Sequence, residues 1–391
     1  MKAYKYRIYP NKTQATAIDS NIETCRQLYN KLLGLKITAY EKDKTRLSRF
    51  DLNKKIKGTT DLHSQVCQNV SNRIDKSFKN FFARIKRGEK EKGFPRFKKF
   101  GKYYSITLPQ ISNPEKIGKK TYFPKIGLLN TKYHRKITGM PKTLTIKKMQ
   151  SGKYFITVCC EGATSNSIKT TNKEVGIDLG LNHFVATSNG EFFEHPKPTK
   201  QFTLKRERLA RQFSRTKKKS CNRNKARIKL ARLDEKIANI RTDFGWKLCQ
   251  TIIKKYGTIY AEDLNIQNMQ QNHYLAKAIT DVSWSDFLAK LSYKAESAGG
   301  KVVKINPKNT SKNCCICGKK HEMPLSNRQM VCECGNNIDR DTNASKNILA
   351  IGKIRQELPE LRLKEIVPLH TAKAVMQAPS MKQEATQLVE W

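Results

Sequence analysis

Three acidic residues and a cluster of cysteines are the side chains of this sequence best suited to chemistry. Asp178 lies inside the apolar run "VGIDLG", where a carboxylate is costly unless it is paired or bound to a cation. Glu262 closes the apolar run "TIYAE", and Asp341 stands in "DRDTNAS", ahead of a helical stretch. Two-cation phosphodiester hydrolysis uses such a trio. Hard carboxylate oxygens hold two Mg2+ ions about 4 Å apart, one activating water and the other stabilising the leaving oxygen. Mn2+ is the expected substitute in vitro. Taken singly, Asp178 reads as a turn or paired structural acid and Asp341 as a helix N-cap. Their order along a strongly basic chain is what joins them.

Five of the eleven cysteines fall between Cys314 and Cys334, in "CCICGKKH" and "MVCECGNNID". Cys314-x-x-Cys317 is a zinc-knuckle spacing, with Gly318 permitting the tight turn. Cys332-x-Cys334 is one residue shorter than the usual second pair. The expected ligand set for a structural Zn2+ is Cys314, Cys317, Cys332 and Cys334, the fourth position being open between a pinched Cys332 loop and His321. All-thiolate closure leaves no position for a substrate, so this metal serves folding rather than catalysis.

The chain has 391 residues, with 77 Lys and Arg against 33 Asp and Glu, a formal net charge of +44. That length suits two or three domains, and that charge asks for a polyanion, which points to nucleic acid. The opening "MKAYKYRIYP" has no secretory apolar core, and no run approaches membrane-span length. Clustered cysteines in such a chain fit metal binding in a reducing cytosol better than disulfides.

The elements that must position these residues follow from periodicity. "KAYKYRIYP" alternates as a strand. Ile18, Ile22, Cys25, Leu28 and Leu32 recur at helical spacing, as do Val66, Val70, Ile74, Phe78 and Phe82. A basic loop with interleaved Phe94 and Phe97 follows. "KTLTIKKM" and "KYFITVCC" form a hairpin around Gln150–Ser151–Gly152, and "GATSNSIKTTNK" marks a boundary. Strand-like runs at 175–181 and 184–188 then lead through an Asn189–Gly190 turn into a long basic helical stretch, 199–255. The strand "TIYAE", an amphipathic helix and the strand "KVVKINP" come next. An Asp on a first strand, a Glu on a later strand and an Asp on a following helix is the arrangement of ribonuclease-H-like nucleases.

With these residues in view, the chain resembles the TnpB (OrfB) family of transposon-encoded proteins, relatives of the type V CRISPR effectors. "KAYKYRIYPNKTQ", "CRQLYN" and "FFARIKRGEKEKGFPRFK" look like the family's entry segment. "VGIDLGLNHFVATS" and "YAEDLNIQNM" look like its first two RuvC motifs, and "TSKNCCICG" with "CECGNNIDRDTNASKNI" like its zinc insertion and third motif. The resemblance implies a multidomain α/β protein. A β-barrel-like wedge domain (1–10 and 103–165) would carry a helical recognition insertion (11–102). A RuvC-like nuclease domain (172–305 and 337–356) would carry a zinc-binding ribbon insertion (306–336), before a partly disordered tail (357–391).

The function implied is RNA-guided DNA cleavage. A guide RNA from the transposon end pairs with target double-stranded DNA beside a short target-adjacent motif, and Asp178, Glu262 and Asp341 hold the Mg2+ ions. One protein per guide RNA is expected, in the prokaryotic cytosol or nucleoid, with no membrane partner. Candidate nucleic-acid contacts are Gln65, Gln68 and Asn69 on the second helix, Arg84, Lys86, Arg87, Arg96 and Lys98 in the basic loop, and Lys217, Lys218, Lys219 and Arg223. An RNA-guided repressor without cleavage would be marked by loss of one of the three acids, and all three are present. A transposase acting without RNA and a compact CRISPR effector are the other readings.

Overall fold

The computed structural model describes residues 1–111, 114–162, 171–324 and 327–357. They form two compact units, one of residues 1–162 with 219–232, the other of residues 171–218 with 233–357. The tail expected after 357 lies outside the described residues.

The first unit opens with β1 (Lys2–Tyr9), whose alternation buries Tyr4, Tyr6 and Ile8. Three helices follow: α1 (Lys12–Asp43), α2 (Arg49–Ile56) and α3 (Ser64–Lys86). Asn11 and Gln14 start α1 with a reciprocal capping box, the Asn11 side chain accepting from Gln14 N–H at 2.8 Å. Five strands complete the unit: β2 (Ser105–Leu108), β3 (Lys120–Phe123), β4 (Gly127–Thr131), β5 (Met140–Lys148) and β6 (Tyr154–Glu161). They assemble with β1 into one antiparallel sheet in the order β2-β5-β6-β1-β4-β3. The β5–β6 hairpin turns at Gly152, whose φ of 84° suits glycine. Helices and sheet share a continuous core, from Ile18, Leu32 and Ile74 to Ile106, Ile146 and Ile156.

The second unit contains β7 (Glu174–Asp178), β8 (Val185–Thr187), β9 (Phe192–Phe193), α4 (Pro198–Gln201), α5 (Thr203–Arg215) and α6 (Cys221–Lys255), whose first turns belong to the other unit. It continues with β10 (Thr258–Glu262), α7 (Ile266–Met269), α8 (His273–Val282), α9 (Trp284–Ser297) and β11 (Lys301–Ile305). A small ribbon of β12 (Gln329–Val331) and β13 (Asn337–Asp339) runs into α10 (Arg340–Glu357). The main sheet has the order β11-β10-β7-β8-β9. β7, β10 and β11 are parallel, and β8 and β9 extend the sheet as an antiparallel meander.

Both faces of this sheet are covered. Val175, Ile177, Ile259 and Ala261 pack with Leu248 and Ile252 of α6 and Phe287 and Leu291 of α9. The opposite face takes α10, with Ile348 against Tyr260 and Ile305. Gly176 explains how closely that helix sits: a Cβ there would lie 2.1 Å from the Ser345 carbonyl oxygen and 2.6 Å from Leu349 N. Gly352 makes the reciprocal approach, where a Cβ would lie 2.0 Å from the Tyr260 ring.

Candidate functional site

Strand geometry brings the first two acids together. The β7–β10 ladder runs in parallel register from Thr258↔Glu174 to Ala261↔Ile177. The next residues, Glu262 and Asp178, therefore end adjacent strands side by side, about 4.8 Å apart across the sheet. Side chains two apart on a strand share a face. Asp178 shares one with Gly176, and Glu262 shares one with Tyr260, the two residues against which α10 packs. Both carboxylates thus leave the sheet on the side of α10.

Asp341 enters from the first turn of that helix. Its approach is marked at Gly180, just beyond β7, where a Cβ would lie 3.8 Å from Asp341 Oδ2. Asp339 is the cap: its Oδ1 accepts from the N–H groups of Asp341 at 2.9 Å and Thr342 at 3.1 Å. Capping by Asp339 leaves the Asp341 carboxylate free of local duty.

Burial and like charge dominate the electrostatics of the trio. Burial pushes the Asp178 carboxyl well above the ordinary range, and the charges of Glu262 and Asp341 push it further. Burial also raises Glu262, against a hydrogen bond donated by the Thr310 hydroxyl. Asp341 is raised by burial and by Asp339, with Arg328, His183 and Arg340 acting in the other direction. Hard oxygen donors that repel one another are a donor set a divalent cation would relieve, so these residues fit Mg2+ or Mn2+.

The thiolate cluster closes more tightly. The sulfurs of Cys314, Cys317, Cys332 and Cys334 all lie within 4.8 Å of one another. Cys314 to Cys334 is 3.6 Å and Cys317 to Cys332 is 3.5 Å. A tetrahedral ion with metal–sulfur bonds of about 2.3 Å sets its sulfurs about 3.8 Å apart, so the quartet could bind zinc. The short second pair is absorbed by a tighter turn. Gly318 N–H bonds to the Cys314 carbonyl four residues back, whereas Gly335 N–H bonds to the Cys332 carbonyl three back, both at a positive φ. His321 stands beside the quartet, its Nε2 3.2 Å from Cys332 Sγ. Burial opposes ionisation of Cys314, but the N–H groups of Cys317 and Ile316 and the Asn336 amide bring its thiol down to about 6.

The candidate nucleic-acid residues are distributed differently. Lys86, Arg87, Arg96, Lys217, Lys218 and Lys219 are exposed. Gln68 is exposed as well, but Asn69 is occupied, accepting from Arg73 Nε at 2.8 Å. Gln65, with His63 and Tyr122, lines a cavity of about 430 Å³ in the first unit. Arg84 donates to the Lys92 carbonyl at 2.9 Å, and Arg87 pairs with Glu89. The Lys98 backbone is held by Asn30 and Arg26, and Arg223 is half-buried.

Sequence reasoning missed the residues that join the two clusters. Thr310, Asn343 and Asn347 are buried polar side chains between them. No spacing rule singles them out, because their partners are distant in sequence. No helix among the described residues is long and apolar enough to cross a membrane.

Comparison with known proteins covers both units. A family model described as "Probable transposase" matches residues 157–273, and a "Cas12f1-like, TNB domain" matches residues 284–348. A third, described as "Helix-turn-helix domain", matches residues 1–45, where the structure has β1 and the single helix α1. A protein of Streptomyces pristinaespiralis named "Putative RNA-guided DNA endonuclease" is 30% identical over 90% of this chain and 89% of its own length. "Putative RNA-guided DNA endonuclease InsQ" of Escherichia coli K12 is 28% identical over 100% of this chain and 98% of its own. Among solved structures, one described as a Cas12f1–sgRNA–target DNA complex covers 86% of this chain and 82% of its own. It matches at 15% identity with a TM-score of 0.55, a likeness of fold. With these matches spanning nearly its whole length, the chain belongs to the TnpB (OrfB) family.

Proposed function

We propose that this protein is an RNA-guided DNA endonuclease whose second unit hydrolyses phosphodiester bonds with two Mg2+ ions held by Asp178, Glu262 and Asp341. One observation carries the reading: two adjacent parallel strands and the head of α10 set Asp178 beside Glu262 and close enough to Asp341 for both charges to act on its carboxyl. Bound there, the cations would supply a hydroxide nucleophile and neutralise the leaving oxygen. The chain's own acids set where those charges sit. The order β9-β8-β7-β10-β11, a meander followed by two parallel strands, supports a ribonuclease-H-like, RuvC-type core. Residues 306–336 form its zinc ribbon in this reading. The six-stranded sheet serves as the wedge, and residues 11–102 as the recognition insertion.

A formal charge of +44 suits a protein that holds a guide–target duplex by its backbone while base pairing reads sequence. The exposed Lys86, Arg87, Arg96 and Lys217–Lys219 are assigned to phosphate contacts, with Arg84, Lys98 and Arg223 supporting them. Gln65 and Gln68 are assigned to target-adjacent DNA, with Asn69 holding Arg73. The relatives named as RNA-guided endonucleases support a guide RNA and a DNA target for this chain. A transposon-end origin of that RNA and action in the prokaryotic cytosol complete the reading.

The deciding experiment compares the parent and Asp178→Ala complexes with their copurifying RNA on a matched DNA target. The variant is expected to retain RNA and target binding and to lose at least about a thousandfold in Mg2+-dependent cleavage. Undiminished cutting by Asp178→Ala would overturn the assignment.

A further inference from the structure

Thr310 is 3% exposed and sits between the end of β11 and the first thiolate knuckle. Its hydroxyl has one proton and two acceptors, Glu262 Oε1 and, at 3.1 Å, the Pro307 carbonyl. The carboxylate is the closer and the more strongly polarised of the two, so it takes the proton. The Thr310 backbone is itself held. Asn347 of α10 spends both amide protons on this segment, donating to the Thr310 carbonyl at 2.8 Å and the Asn313 carbonyl at 2.7 Å. One helical turn earlier, Asn343 donates to the same Asn313 carbonyl at 2.7 Å and accepts from Cys315 N–H at 2.9 Å. Asn343 is fully buried and Asn347 is 6% exposed, so neither amide is turned to solvent.

Buried side-chain amides that hydrogen-bond a backbone rigidify the segment they hold. Here that backbone starts at a hydroxyl on Glu262 and ends inside the cysteine knuckle. A carboxylate accepting one fixed hydrogen bond keeps its other oxygen aimed, and outer partners of this kind tune cation affinity. We infer that Thr310 is a positioning residue for Glu262, and that Asn343 and Asn347 tie it to the thiolate ribbon, so that the folded ribbon sets the affinity of the carboxylate site for divalent cations. This inference rests on the reading of Asp178, Glu262 and Asp341 as cation ligands.

The test measures Mn2+ binding to the full chain, free of RNA, by the electron paramagnetic resonance signal of unbound Mn2+. Zinc content and thermal unfolding are followed in parallel. Thr310→Val keeps the shape and removes the proton; Thr310→Ser keeps the proton. The dissociation constant is expected to rise about tenfold or more in Thr310→Val and to stay within about 1.5-fold of the parent in Thr310→Ser, with zinc content unchanged. A merely structural role for Thr310 would move the melting temperature and not separate the two variants in this way. Asn347→Ala, which leaves the hydroxyl but frees its backbone, is expected to raise the constant about threefold. It carries the test if Thr310→Val does not melt cooperatively. Parent-like Mn2+ binding in the folded variant would overturn the inference. Asp178→Ala separates the two failures. If it alone loses Mn2+, the cation site stands and the coupling falls; if it too binds as the parent does, both fall.

Discussion

The two clusters on either side of Thr310 are built in opposite ways. The thiolate quartet is local: two short knuckles from one segment meet face to face, and glycines at positive φ make each turn. The carboxylate trio is assembled from two strand ends and a helix head; burial raises the proton affinity of all three, and the charges of Glu262 and Asp341 raise that of Asp178 further. One cluster organises its own neighbourhood. The other is tolerated because the surrounding fold holds it. Two clusters of metal-ligand side chains can therefore carry opposite burdens for the protein, the first contributing to folding when metal binds and the second working against it until charge is supplied.

That contrast can be broken most severely at the quartet. The parent is expected to hold about one zinc per chain, and Cys314→Ser is expected to lose it and about 3 kcal/mol or more of stability. Metal analysis with denaturant unfolding measures both, and a zinc-free parent that folds and cleaves would dissolve the distinction. A smaller loss is expected where the trio depends on packing. Gly176→Ala puts a methyl against the Ser345 carbonyl, backbone that cannot swing aside, and should cost about 1–3 kcal/mol while leaving zinc bound. Cleavage should fall with it as α10 lifts, which a paired melting and cleavage assay would register.

The smallest expected effect has the opposite sign. A carboxyl whose folded pKa is raised stabilises the protein when protonated and loses that contribution as pH rises through the folded value. In chelator, the parent should therefore gain stability as pH falls through that raised value toward the ordinary carboxylate range, and Asp178→Asn should gain less. At neutral pH Asp178→Asn should melt about 2–4 °C higher, equivalent to about 1 kcal/mol, while losing cleavage. A lower melting point for that variant would mean the acids do not repel as described.

These differences also explain what was legible beforehand. Cys314-x-x-Cys317 and the strand-ending Asp178 and Glu262 are visible because spacing and apolar context act within a few residues. The β5–β6 hairpin is visible for the same reason, its turn residues lying inside the pattern. Gly176 and Gly352 are not, since a glycine in a strand or helix announces no partner until the opposing surface is known. Thr310 and Asn347 stayed hidden in polar stretches that read as loop or wet helix. Asn69 illustrates the reverse: a polar helix position that reads as a nucleic-acid contact is engaged by Arg73. Contacts with nucleic acid leave no mark in the packing, so exposure alone does not single out Lys218 and Lys219.

The tight turn at Gly335 has a consequence for how the gene can vary. Two residues beyond it begins a three-residue strand whose ladder, Gln329↔Asp339 to Val331↔Asn337, ends on the cap of α10. Between Cys334 and Asp341 every residue is therefore counted twice, once as strand phase and once as helix phase. A one-codon insertion there would reverse the faces of the strand and turn the helix head by about 100°. A stretch that looks like the rim of an accessory loop is in effect a reading frame for the third acid, intolerant of length change even where it tolerates substitution.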